Sequence, residues 1–292
     1  MIRMVFLVCS VLFFFAGLWA EDMLFWGNHD LNSIGRADLD GGNVQQTFVT
    51  GCEEPRGLAS DDNFIYWAND HYGTGESIGR VLVDGSDGEV DFVSGCDHAF
   101  DVAVDASHIY WSVYDDNGSI GRSSIGGSGV NLQFISGCDH PWGVALSGNY
   151  LYWVNYSYNS IGRASLDGSN VNQYFITGCM GPGAIAVTST HIYWTNLGTP
   201  SQTIGRASLS GSNVDQEFIT GCNSARGIVA SQNHLYWSNF GDDAIGRASL
   251  DGSGVNQAFI TGCDGPIGVT IAPASPLSFA SRTWGGIKSA EY

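Results

Sequence analysis

Apolar and polar residues alternate along this chain in short runs, and the runs recur. An aromatic, β-branched stretch, "LFWGN", returns as "IYWAN", "IYWSV", "LYWVN", "IYWTN" and "LYWSN". Each is followed by a polar loop and then by "SIGRADL", "SIGRVLV", "SIGRSSI", "SIGRASL", "TIGRASL" or "AIGRASL". Next come a turn such as "DGSN", a segment such as "FITGC", and a short apolar run such as "GVALS", "AIAVT" or "GVTIA". Runs of this length and composition, bounded by Gly, Asp, Asn and Ser clusters, predict strands and tight turns rather than helices.

The unit spans about 41 to 45 residues, a period that marks propellers and arrays. Four short strands make one blade, so six copies of each run predict an all-β, six-bladed β-propeller of four-stranded blades. The repeats begin at a tryptophan strand, and the last complete run, "PIGVTIA", is of the type that precedes that strand elsewhere. The C-terminal strand is therefore expected to join the N-terminal blade and close the ring, leaving no long open sheet edge.

The strings "YWTN", "IGRASLSGSN" and "PWGVALS" resemble the YWTD repeats, the class B repeats of low-density lipoprotein receptor-type proteins, which form six-bladed propellers. The resemblance covers about residues 24 to 272. It departs at the motif's Asp, which is Asn at 28, 69, 155, 196 and 239 and Val at 113. The resemblance implies a non-catalytic protein that binds a protein or peptide ligand. No cysteine-rich or EGF-like module accompanies the repeats, so a free-standing binding or matrix-like role is expected rather than that of a large receptor.

Composition adds a compartment. Arg3 precedes the apolar run "MVFLVCSVLFFFAGLWA", which stops at Glu21 and Asp22. This reads as a signal peptide over 1–20, and an uncleaved anchor is the rival reading. The propeller is expected over 21–275 and a C-terminal tail over 276–292. With Arg3 removed, the formal charge goes from -18 to -19, because all 29 acids follow residue 20. Nucleic acid and anionic membrane surfaces are poor partners for such a chain. The product is expected to be secreted or otherwise extracytoplasmic. "NGS" at Asn117 and "NYS" at Asn155 fit the glycosylation pattern.

Residues repeated in every unit read as structure. Arg36, Arg80, Arg122, Arg163, Arg206 and Arg247 are expected to be tied down within their own blades by ring stacking and carbonyl hydrogen bonds. In aromatic pairs such as Tyr152 and Trp153 the two side chains point to opposite sheet faces and feed both interfaces with neighbouring blades. Asp40, Asp84, Asp167 and Asp251 before glycine fit tight hairpins better than calcium sites. Cys52, Cys96, Cys138, Cys179, Cys222 and Cys263 recur at one position. Equivalent atoms of adjacent blades are separated by their radius from the axis, here roughly 10 Å or more, while a disulfide needs Cα atoms within ~7 Å. Buried thiols filling the seams are expected instead of disulfides.

Function is sought where the units differ. Up-and-down strands put the loop after the tryptophan strand and the cysteine-bearing loop on one face, called top. These loops vary and hold twelve of the 29 acids. The candidate ligand-binding residues are Glu53, Glu54, Tyr72, Asp97, His98, Phe100, Tyr114, Asp115, Asp116, Asp139, His140, Trp142, Tyr156, Tyr158 and Phe240, with Asp242 and Asp243 adding charge. Aromatics interleaved with acids suit a protein or peptide of cationic character.

His98 and His140 follow Asp97 and Asp139 at matched positions and are weak metal-ligand candidates. The other units read "EE", "MG", "NS" and "DG" there, so no symmetric cage is expected, and no cofactor is assigned. The alternative function is a metal-dependent, lactonase-like hydrolase with its site in the central channel. Against it, no H-E-x-x-H, C-x-x-C or phosphate-loop string occurs, and no isolated reactive group is seen to break the repeat.

Overall fold

A computed structural model describes residues 22–69, 77–198 and 202–275. Its 24 strands form six four-stranded antiparallel sheets, and the single helical turn is Phe240–Asp242. The signal segment and the C-terminal tail lie outside the described residues. Ring closure follows the sequence expectation. Pro266–Pro273 pairs antiparallel with Asp22–Asn28, completing the first blade with Ser33–Asp38 and Gln45–Thr50. The innermost strands, around the axis, are Pro266–Pro273, Pro55–Ser60, Ala99–Val104, Pro141–Ser147, Pro182–Val187 and Ala225–Ala230.

The alternation of the tryptophan strand explains why blades stack. Trp153 packs with Tyr110, Ile120 and Cys138 of the preceding blade, while its neighbour Tyr152 packs with Ile192 and Trp194 of the following one. Each blade thus buries both faces, as a sheet flanked by two others must. The glycine of "IGR" lies flat beneath the indole: a Cβ on Gly205 would collide with Trp194. The six repeated arginines each stack on the phenylalanine of their own outer strand, from 3.5 Å for Arg80 over Phe92 to 3.9 Å for Arg206 over Phe218.

A buried asparagine in five of the six blades organises the seam. Asn196 Nδ2 donates to Gln216 O of its own outer strand at 3.0 Å, and its Oδ1 accepts the N–H of Met180, just after Cys179, at 3.1 Å. Asn28, Asn69, Asn155 and Asn239 make the same pair of bonds. Gln216 adds a cross-blade link: its Oε1 accepts from Trp194 Nε1 at 3.2 Å, and its Nε2 donates to Gly178 O of the preceding blade at 2.8 Å. Gln46, Gln173 and Gln257 repeat this arrangement. In the third blade Val113 and Leu132 replace Asn and Gln, and the buried Trp111 Nε1 has no hydrogen-bond partner.

All six described cysteines are buried free thiols beside this network. Burial pushes Cys52, Cys138, Cys179 and Cys263 up to about 12 and Cys222 to about 11, so they are poor nucleophiles in the folded chain. The Asp-Gly turns close locally: Asp84, Asp167 and Asp251 each accept the N–H two residues on at 2.9 Å. Asn155 is fully buried with its amide engaged, whereas Asn117 is exposed.

Two outcomes follow from the seam. Replacing Asn196 by Val removes the acceptor that holds the Met180 N–H and leaves the Gln216 carbonyl with Thr203 Oγ1 as its side-chain donor, and should destabilise the fold by about 1–3 kcal/mol in urea titration. A change under 0.5 kcal/mol would show that the asparagine is not the clamp. Alkylation of denatured, nonreduced protein should label every cysteine from 52 to 263, and native protein should react far more slowly. Absence of labels would indicate disulfides.

Candidate functional site

The top face starts from a uniform backbone turn. The second residue after each cysteine adopts a left-handed conformation in all six units: Glu54 (φ 46°), His98 (φ 55°), His140 (φ 46°), Gly181 (φ 59°), Ser224 (φ 55°) and Gly265 (φ 57°). Glycine adopts this without strain, and side-chain-bearing residues do so at a cost of order 1 kcal/mol. In four units the N–H of this residue is held by a side chain from the preceding blade's top loop: Asn32, Asn159, Gln202 and Asp243 accept it at 2.6–3.0 Å. The matched position of His98 and His140 is therefore a turn position shared by all six units.

Four of the predicted aromatics come together. Phe100 meets Trp142 edge-on at 4.5 Å and Tyr114 at 5.2 Å, and Trp142 contacts Tyr114 at 6.0 Å and Tyr156 at 5.5 Å. His140 joins edge-on to Tyr114 at 5.2 Å. The third and fourth blades supply this cluster through their inner strands and the loops after their tryptophan strands. On its outer side, His140 is bracketed by acids: Nδ1 lies 2.8 Å from Asp139 and Nε2 3.1 Å from Asp116, with Ser157 Oγ 3.2 Å from Nδ1. Asp115 sits in the same corner with its Oδ1 buried and unpartnered.

Other candidates lie apart. Glu53 and Asp97 are exposed on their own loops, and Glu54 faces His29 at 3.7 Å. Tyr158 pairs with Tyr174 of the outer strand at 5.4 Å, away from the mouth, and Phe240 lies beneath Arg226. Tyr72 is outside the described residues. Among the described residues, no group of three or more His, Cys, Asp or Glu is gathered closely enough to hold a metal ion.

Three functional-site residues escape the sequence reading: Arg56, Arg226 and Asp101. The second residue of each inner strand faces the channel mouth and reads Arg56, Phe100, Trp142, Gly183, Arg226 and Ile267 around the ring. The mouth is a cavity of about 440 Å³ lined by Arg56, His98, Phe100, Tyr114, Trp142 and Arg226. Arg56 stacks on Phe100 at 4.3 Å and Arg226 on Phe240 at 3.5 Å. Burial, and then the charge of Arg56, depress the pKa of Arg226, with Asp30 opposing. The top-face loops are acidic, and two arginines line the mouth that they surround.

Below it the channel continues as a cavity of about 240 Å³. The third residue of each inner strand is Gly57, Asp101, Gly143, Ala184, Gly227 or Gly268. The strands approach so closely here that a Cβ on Gly57 would collide with Asp101, and one on Gly268 with the backbone of Arg56 and Leu58. Asp101 is the one charged member of this ring, so the expectation that no isolated reactive group breaks the repeat is corrected. Its Oδ2 accepts the N–H of Val144 in the next blade at 3.0 Å and its Oδ1 the N–H of Val102 at 2.9 Å. Burial outweighs these bonds and raises its pKa to about 7. The signal was a single acid in a register of Gly and Ala, visible only once the inner strands are aligned.

The comparisons with known proteins agree with this fold. No protein-family model matches the sequence, and no curated protein matches it. Among solved structures, a chain of a nidogen/laminin complex is similar with a TM-score of 0.74 at 18% identity, covering 87% of this chain and 99% of that one. The virginiamycin B lyase of Staphylococcus aureus is similar at 0.53 and 19% identity, covering 69% of this chain and 68% of the lyase. A gluconolactonase from Xanthomonas campestris is similar at 0.55 and 14% identity, covering 69% and 74%. The shared feature is the propeller fold, which serves both binding proteins and enzymes. Among the described residues, no helix is long and apolar enough to cross a membrane.

Asp101 makes stability depend on pH with a defined sign. A carboxyl whose pKa is about 7 when folded and about 3.9 when unfolded contributes stability that is fully present below about 4 and lost as pH rises to about 7. The loss is up to about 1.4 kcal/mol per pH unit, reduced by channel water. Asp101→Asn should abolish this component, so that the difference in stability between wild type and variant changes steadily from pH 4 to 7. Parallel urea-unfolding profiles would show that Asp101 titrates normally.

Proposed function

We propose that this chain is a secreted, non-catalytic propeller of the YWTD kind that binds a protein or peptide on its top face. The observation that carries the reading is the continuous aromatic cluster of Phe100, Tyr114, Trp142 and Tyr156 at the channel mouth. Clustered Trp and Tyr on a rigid scaffold are typical anchors of protein recognition, because they bury much area with few rotatable bonds. Asp115, Asp116 and Asp139 flank the cluster, and with Asp97, Glu53 and Glu54 they give the rim its negative sign. They suit a partner that is cationic where it crosses the rim. The likeness to a chain of a nidogen/laminin complex supports a protein ligand for a propeller of this shape.

The metal-dependent hydrolase is the lesser reading. The similar gluconolactonase and lyase lend it fold precedent, and Asp101 supplies one channel acid. The described residues gather no further acids or imidazoles around that carboxyl to complete a ligand set.

The test is retention of extracellular partners on immobilised propeller. Trp142→Ala combined with Tyr114→Ala should lower retention of the main partner at least tenfold, while Tyr174→Ala, on the outer rim, should leave it unchanged. Asp115→Lys with Asp139→Lys should weaken capture mainly at low salt. Unchanged retention by the double aromatic variant would move the binding surface off this face.

A further inference from the structure

We propose that Asn117 is the acceptor of an N-linked glycan, added before the third blade closes and standing beside the aromatic cluster of the top face. This rests on the reading of the chain as secreted, and it adds a covalent modification to that reading.

Two strings carry the acceptor pattern, Asn117-Gly118-Ser119 and Asn155-Tyr156-Ser157, and the fold treats them in opposite ways. Asn117 is exposed near the tip of a turn that the Gly118 N–H closes by donating to the Asp115 carbonyl at 3.1 Å. Among the described residues nothing holds its side-chain amide. Asn155 is fully buried, and its Nδ2, the atom that would carry the sugar, donates to Gln173 O at 3.0 Å and to Gln173 Oε1 at 3.1 Å. Its Oδ1 accepts the Asp139 N–H at 3.1 Å. A close-packed seam has no room for a sugar on that nitrogen, and substitution there would break the clamp between blades. Folded protein should carry a glycan at 117 and none at 155.

The rest of the 117 string fixes the order of events. Gly118 is buried against the next blade, where a Cβ would collide with Pro141 and Cys138, and its carbonyl accepts the Cys138 N–H at 3.0 Å. Ser119 is fully buried, with Oγ donating to Leu132 O at 2.6 Å. An enzyme that reads the Ser hydroxyl together with the Asn amide needs both within reach, and the folded blade offers only the amide. Attachment therefore precedes closure of the blade. In that step Asn117 Nδ2 forms a bond to the anomeric carbon of an oligosaccharide carried on a polyprenyl diphosphate. The bond from that carbon to the diphosphate oxygen breaks, the diphosphate leaves with the electron pair, and one amide proton passes to a base of the enzyme. Nothing is oxidised or reduced. The same loop supplies Tyr114 to the mouth and Asp116 to His140. A bulky, hydrated sugar thus rises next to the face on which a protein partner is proposed to dock.

The full chain is expressed in a eukaryotic secretory host, and protein from the medium is weighed intact and as peptides. Treatment with peptide N-glycosidase in heavy-oxygen water converts each glycosylated Asn to labelled Asp. One glycan is expected, on Asn117, released without denaturing the protein, with Asn155 unlabelled. Asn117→Gln should lose the whole mass increment and keep the urea midpoint of the deglycosylated protein, because this side chain holds no partner. Bare Asn117 in secreted protein, or a glycan on Asn155 of folded protein, overturns the inference. Purified transferase and lipid-linked donor should modify unfolded chain at least about tenfold faster than folded chain, and equal rates would overturn the order of events. Protein held in the cells and unmodified would overturn the secretion reading as well, which a bare but secreted chain would leave standing.

Discussion

The interaction on which the rest depends is the buried asparagine at the end of the tryptophan strand. Its amide does two incompatible-looking tasks at once: it donates to the outer strand of its own blade and accepts the first N–H after the cysteine. An ionised aspartate has acceptors only, so it could not make the first bond. That is a physical reason for Asn where the YWTD pattern has Asp. With the glutamine that joins Trp to the preceding blade, the asparagine welds strand, seam and crossover into one unit. The thiol beside them fills what space is left, and its burial and raised pKa follow from that placement.

Because the asparagine fixes the residue after the cysteine, five of the six top-face loops depart from the same anchor, and what varies beyond it varies on a rigid base. The left-handed turn one residue later shows the consequence. Two units use glycine there, and Glu54, His98, His140 and Ser224 accept backbone strain to project a side chain at the rim. The third blade goes further, giving up both Asn and Gln and leaving Trp111 N–H unsatisfied. That blade also supplies His98, Phe100, Asp101 and Tyr114. Local rules broken together in the blade that builds the mouth are what a functional site on a repetitive scaffold should look like.

The fold was legible because period and composition repeat: six tryptophan strands, six "IGR" strands and six cysteines count the blades, and the order of runs dictates closure. The aromatic part of the mouth was legible too, since Phe100 and Trp142 are large apolar residues at a position where Gly183 shows none is needed. Arg56 and Arg226 were hidden by the opposite circumstance. They lie in "PRG" and "ARG", next to loops rich in acids, and bulk charge counts assign such residues to solvent. Asp101 was hidden because a strand acid at an intermediate position looks solvated until six strands are laid side by side at their closest approach. Tyr158 and Phe240 had the right composition, but their partners, Tyr174 and Arg226, come from elements remote in sequence.

The electrostatics of the top face then separate into two ranges. A chain of net charge -18 presents a negative field to anything approaching from outside the screening length, and the rim acids reinforce it. Inside the mouth, which Arg56 and Arg226 line, water screens less well and local charges count for more than the distant sum. The rim and the mouth thus differ in the sign of the side chains that they present. Specificity on a highly charged surface comes from such local differences rather than from the net charge, because a uniform field attracts every partner of opposite sign alike.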